Sequence, residues 1–407
     1  MVGELAASQG NWSFSYAAAW LAASGRFPLS PTFPLEDHEF ADTSERRPVQ
    51  WFFDNLLPEG GVREALARFA ELDARDSFGL LARYGAESAG ALTLLPVDVS
   101  FPATGAYAPL AAEEISVLIE RLPRVPLIAA GGRLKMSLAG AQHKLPVHWD
   151  GNQLYLAEGA APSTWILKPE HARPEDYPMT PANEHYCMAL AGAMGLPVPE
   201  IALLHLPMPL YLCRRYDRHA LPEGARRLHQ IDFLQLANKW PSYKYEVEGG
   251  ATLREVFDAL ALTRQPAVTK NQVLRWVVFN YLIGNSDAHA KNLSFLIGPA
   301  GITPAPCYDL LCVKVYGDEH MAMSLGGESR YAWVTGREWD ALAREAGVLP
   351  SLLKRIRLEF ARKIVPLAER LRGDPAYTDA EREFLGSIVT VVREHGRFVL
   401  EGADVAE

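Results

Sequence analysis

Gly284-Asn285-Ser286-Asp287-Ala288-His289-Ala290-Lys291-Asn292 breaks an apolar pattern. The residues before it, Asn271 to Ile283, carry apolar side chains at 3.6-residue spacing, and Gly284 is the stop signal of the helix this predicts. The polar side chains therefore fall on a loop anchored by a buried helix. Leu293 to Ile297 then reads as a strand, Gly298-Pro299-Ala300-Gly301 as a turn, and Ile302 to Tyr308 as the return into Asp309. A hairpin of that length brings Asp309 back beside Asn292. One carboxylate and one amide oxygen then converge, the sparse oxygen set that Mg²⁺ accepts when water and phosphate complete its octahedron. Two plainer readings stand beside this one. Asp, Asn and Ser gather in loops for turn formation alone, and Asp309 suits a helix N-cap before Leu310-Leu311.

Upstream, Ser137-Leu138-Ala139-Gly140-Ala141-Gln142-His143-Lys144 is a small-residue loop running into a strand. It lacks the Walker A pattern, yet backbone N–H groups on small residues can cradle phosphates. Lys168 closes the apolar strand Trp165-Ile166-Leu167, and Glu184 on the following helix is its candidate ion-pair mate. A solvated strand-end lysine is the alternative. Leu210 to Tyr216 reads as a connecting strand, with Tyr216 placed against an adenine or in core packing. Asp287 and Asn292 have the Asp-x-x-x-x-Asn spacing of a protein-kinase catalytic loop. Phosphate loop, strand lysine, helix glutamate, connecting strand, catalytic loop and metal aspartate follow in the order of a protein kinase's parts. The conjunction is more specific than any member.

The surrounding chain agrees. Strand signals dominate from Leu134 to Tyr216, including a hairpin Leu145–Trp149 and Gln153–Leu156 across Asp150-Gly151-Asn152. The long helix there is Ala182 to Met194. Helical spacing dominates afterwards, at Ile231–Lys239, Leu253–Leu262, Leu352–Leu371 and Ala380–His395. The predicted fold class is α+β, a protein-kinase-like two-lobe fold with a β-rich N lobe, a helical C lobe and an extra N-terminal α+β subdomain. Its domains are 1–98, 110–216 and 217–407, with the Pro-, Ala- and Gly-rich segment Pro96 to Pro109 as the linker.

With 407 residues, 49% of them hydrophobic, the chain has material for a sizeable core. Its 40 Lys+Arg against 49 Asp+Glu give a formal net charge of -9, which excludes a global positive field for nucleic acid. Four cysteines without a Cys-x-x-Cys pair argue against a disulfide framework or a structural metal, and cytoplasm is the expected compartment. Tyr16 to Ala23 reads as a short core helix, because Glu4 precedes it and no Lys or Arg appears before Arg26. No stretch approaches the roughly 20 apolar residues that span a bilayer, so no membrane association is expected.

Four segments carry a resemblance over nearly the whole chain: Ser137 to Lys144, Phe52-Phe53-Asp54-Asn55-Leu56-Leu57-Pro58, Leu282 to Asn292, and Tyr308-Asp309. Together they resemble the HipA family of kinase toxins from bacterial toxin-antitoxin pairs. The resemblance implies ATP and Mg²⁺ as cofactors, an aminoacyl-tRNA synthetase as protein target, and a HipB-like antitoxin through which operator DNA is mainly contacted. It makes Asp287 the catalytic base, Asn292 and Asp309 the Mg²⁺ ligands, Lys168 the ATP lysine, and Ser137 an inhibitory autophosphorylation site. Nucleotide contacts are implied for Ala139, Gly140, Ala141, Gln142, His143, Lys144, Arg214, Arg215, Tyr216, His289, Ala290, Lys291, Asn292, Tyr308 and Asp309. Arg214 stands where family members often carry an acidic residue, and Glu328-Ser329-Arg330 lacks the lysine cluster that some of them use against DNA. Two other functions compete: a corepressor module of little catalytic power, and a small-molecule kinase. Retention of Asp287, Asn292 and Asp309 together speaks against the first.

Overall fold

A computed structural model describes residues 1–122, 142–221 and 224–404. They form two compact units, each assembled from separated stretches of chain. Strands predominate in one, Met1–Ala172 with His205–Pro241 and Ser294–Thr303; helices predominate in the other, Arg173–Leu204 with Ser242–Leu293 and Pro304–Glu407.

The strand-rich unit opens with a hairpin, Gly3–Ser8 against Asn11–Tyr16, to which Glu39–Ala41 adds a third strand. Period-two alternation buries Trp12, Phe14 and Tyr16 on one face. Phe14 meets Phe33 and Phe53 at ring separations of 5.6 and 5.8 Å, which joins the hairpin to the helix Pro48–Asp54. The Phe52 to Pro58 motif is therefore core: Asp54 takes the Arg63 guanidinium at 2.7 Å, and Asn55 donates to the Lys239 carbonyl at 3.0 Å. Tyr16 belongs to the hairpin and not to a core helix. Its hydroxyl donates to the Phe33 carbonyl at 2.7 Å, and the helix that follows, Ala18–Ala22, buries none of its residues.

Five further strands of this unit lie side by side in the order Gly105–Leu110, Leu154–Gly159, Leu145–Trp149, Trp165–Pro169, Leu210–Arg214. The first of them begins inside the segment read as linker. Asp150 closes the expected hairpin by accepting the Asn152 and Gln153 amides, each at 2.8 Å. The helix expected from Ile231 shrinks to Phe233–Leu236. A strand, His229–Asp232, takes the earlier residues, and Asp232 caps the short helix by accepting the Gln235 amide.

The helix-rich unit contains Thr180–Ala193, Leu253–Ala259, Pro266–Ile283, Gly336–Glu345, Pro350–Arg372 and Asp379–Asp404. Aromatic rings fill its centre, with Tyr281 5.2 Å from Trp339 and Tyr331 stacked 4.7 Å from His395. Among the described residues no helix is long and apolar enough to cross a membrane.

Candidate active site

The helix Pro266–Ile283 ends as the sequence requires. Gly284 adopts φ 67°, and its N–H reaches the Asn280 and Tyr281 carbonyls. Its carbonyl accepts the Val313 and Lys314 amides at 3.0 and 2.9 Å, which ties the segment after Asp309 to the end of this helix. Asn285 strengthens the tie, donating to Asn280 Oδ1 at 2.7 Å and to the Asp309 carbonyl at 3.4 Å.

Beyond Asn285 the loop folds inward. Asn285, Ser286, His289, Lys291 and Asn292 are buried, whereas the Asp287 side chain is 49% exposed. Asn292 Nδ2 donates to the Asp287 carbonyl at 2.9 Å, so the amide oxygen is the atom left to face a cation. Tyr308 Oη donates to the Lys291 carbonyl at 2.7 Å, and Asn292 and Asp309 are the chain neighbours of that bonded pair. Asp309 holds φ 59°, a left-handed conformation that costs a non-glycine residue about 1–2 kcal/mol and marks a position fixed by its surroundings. No helix begins at Leu310, so the capping role for Asp309 falls away. Asp287, His289, Ala290, Lys291, Asn292, Tyr308 and Asp309 thus share one hydrogen-bonded site. Its oxygen donors fit Mg²⁺, which is commonly held by one or two carboxylates plus substrate phosphates. Among the described residues no group of three or more His, Cys, Asp or Glu side chains could hold a metal by itself.

Two residues of this site have no local sequence signal. Tyr245 Oη donates to Asp287 Oδ1 at 2.6 Å, and its ring stands edge-on to His289 with centroids 5.2 Å apart. Asn183, on the first turn of Thr180–Ala193, clasps the Cys312 backbone from both sides. It accepts the Cys312 N–H at 2.9 Å and donates to the Cys312 carbonyl at 3.0 Å, with a further bond to Tyr316 Oη at 2.9 Å. Its neighbour Glu184 is buried.

The other candidates lie in the strand-rich unit. Lys168 is 8% exposed, in register with Tyr211 and 5.9 Å from its ring centroid, which removes the solvated-lysine alternative. Gln142, His143 and Lys144 lead into the strand Leu145–Trp149. Burial, with the neighbouring His171 charge, holds the His143 imidazole below its usual pKa. Ser137, Ala139, Gly140 and Ala141 lie outside the described residues. Arg214 ends the strand Leu210–Arg214 with its side chain exposed, and Tyr216 is half-buried.

Arg215, unlike Arg214, is buried. Its guanidinium is buried against Asp217 at 2.8 Å, Glu87 at 3.2 Å and Ser163 Oγ at 2.9 Å, and its N–H donates to the Thr164 carbonyl. Committed to these partners, the side chain is part of the fold of the strand-rich unit. Arg218 joins the cluster through Asp217 and Glu87. Burial pushes the Glu87 and Asp217 carboxyls up, but the surrounding guanidinium groups outweigh it and hold both below the usual range.

Architecture and loop together define a protein-kinase-like α+β protein, and comparison with known proteins narrows the class. Residues 1–95 match the HipA N-terminal domain and residues 136–367 the HipA-like C-terminal domain. A putative kinase of Sinorhizobium fredii, Y4mE, is 37% identical over 85% of this chain and 84% of its own. The serine/threonine-protein kinase toxin HipA of Shewanella oneidensis is 32% identical over 96% of this chain and 92% of its own. A solved structure of the HipA, HipB and operator DNA complex from Shewanella oneidensis superposes with a TM-score of 0.85 at 29% identity, covering 100% of this chain and 98% of that one. The chain belongs to the HipA family.

Proposed function

We propose that the protein is an ATP- and Mg²⁺-dependent serine/threonine protein kinase, the toxin of a toxin-antitoxin module. The observation that carries this reading is the half-exposed Asp287 carboxylate at the tip of an otherwise buried loop whose Asn292 oxygen and Asp309 are held in place. Asp287 accepts the proton of the attacking hydroxyl and orients it toward the γ-phosphate. Asn292 and Asp309 would hold the metal, which would offset charge on the transferred phosphate. Lys168, buried on its strand, supplies a fixed positive charge for the α/β-phosphates.

The family supports an aminoacyl-tRNA synthetase as target. A HipB-like antitoxin then supplies the positive charge for operator DNA that a chain of net charge -9 lacks. Ser137 would govern activity through its own phosphorylation, because added negative charge beside the nucleotide phosphates weakens ATP binding. Cytoplasm is the setting this reading requires.

The test is transfer of label from γ-labelled ATP to protein in a cell lysate. Wild-type protein is expected to label a discrete target band, and Asp287→Asn to lose that transfer while still binding ATP. Wild-type turnover by the variant would remove Asp287 from the mechanism.

A further inference from the structure

We propose that Tyr245 is a positioning residue for the base, fixing the rotamer of Asp287 so that one carboxylate oxygen is kept for the substrate hydroxyl. This rests on the kinase reading above. Asp287 is half-exposed on a loop tip, where a short carboxylate side chain would otherwise turn about its own bonds. An ionised carboxylate only accepts, so the 2.6 Å contact has the tyrosine hydroxyl donating to Oδ1, at the length of a charge-assisted O–H···O⁻ bond. With Oδ1 engaged, Oδ2 is left for the acceptor.

Tyr245 is itself well held. On one side the Lys244 carbonyl accepts the Ala290 amide at 3.4 Å; on the other Glu246 Oε2 accepts the Ser324 amide at 2.6 Å. The Tyr245 carbonyl takes the Gly250 amide at 2.9 Å, and the Lys244 ammonium lies 4.9 Å from the ring centroid. The segment 243–251 is thereby tied both to the catalytic loop and to the strand His320–Leu325. A hydroxyl delivered by so constrained a segment can fix a mobile partner; a hydroxyl on a free loop could not.

The discriminating pair is Tyr245→Phe and Tyr245→Leu. Phenylalanine keeps the ring against His289 and removes only the hydroxyl; leucine removes both. Initial rates are measured with γ-labelled ATP across ATP concentrations at saturating lysate acceptor, and ATP affinity by calorimetry. Both variants are expected to lower the maximal rate about tenfold or more, with ATP KM and calorimetric affinity within about twofold of wild type, because misplacing the base leaves nucleotide contacts untouched. A Tyr245→Phe rate equal to wild type, with Tyr245→Leu alone impaired, would reduce Tyr245 to ring packing and overturn the proposal. A faster Tyr245→Phe would overturn it too, by showing that the hydroxyl blocks the base. Absence of transfer by the wild type instead defeats the kinase reading itself, and this inference with it.

Discussion

Replacing Gly284 with alanine separates the backbone demand of the loop 284–292 from its packing demand. At φ 67° an L-residue costs about 1–2 kcal/mol more than glycine. A Cβ built there would lie 2.9 Å from both Lys314 Cβ and Val391 Cγ1, closer than carbon atoms pack, and such overpacking costs about 1–3 kcal/mol. The sum is about 2–5 kcal/mol. Gly317 is the control: its φ is 99°, yet a Cβ there meets nothing within 4 Å, so Gly317→Ala bears the backbone cost alone. Urea unfolding of both variants should show Gly284→Ala the less stable by at least about 1 kcal/mol. Equal losses, or a Gly284→Ala loss under about 1 kcal/mol, would refute the claim that close packing against Lys314 and Val391 holds the end of this helix in place.

Two further outcomes follow from buried polar groups. Asn183→Ala leaves the Cys312 N–H and carbonyl without their side-chain partner, at about 1–3 kcal/mol each, and should expose the buried Cys312 to maleimide, read by peptide mass spectrometry; unchanged urea midpoint and labelling would contradict the clasp. His229 and His395 are held neutral by burial, each pushed down to about 4. The unfolded chain therefore binds protons first, so stability is full above the unfolded pKa of about 6.5 and falls as pH drops toward 4, by up to about 3 kcal/mol per residue. His229→Gln, which can keep a donor toward the Leu29 carbonyl, should flatten that decline in urea midpoints measured from pH 7 to 4.5, and an unchanged slope would count against it.

What the sequence made legible was local. The apolar run into Gly284, the polar loop after it and the Asp-Gly hairpin each declare themselves within about twenty residues, because helix caps and tight turns are specified by their own side chains. Residues whose partners lie far along the chain stayed hidden. Tyr245 acts on a carboxylate 42 positions away, Asn183 on a backbone 129 positions away, and neither sits in a motif. The burial of Arg215 stayed hidden for the same reason: one partner of its guanidinium, Glu87, lies 128 positions earlier. Tyr16 misled through burial, since an apolar run fits a short helix and a strand end equally well until the Phe33 carbonyl claims the hydroxyl.

The strand-rich unit needs Ser294–Thr303, and those residues emerge only after Asp287 and Asn292 have been made. Synthesis from the N-terminus therefore cannot finish the unit bearing Lys168 before the loop 284–292 exists, and the helix-rich unit in turn awaits its last two helices. An unfinished chain carries Lys168 with no complete unit to present it. By this threading neither unit is complete until almost the whole chain has been translated.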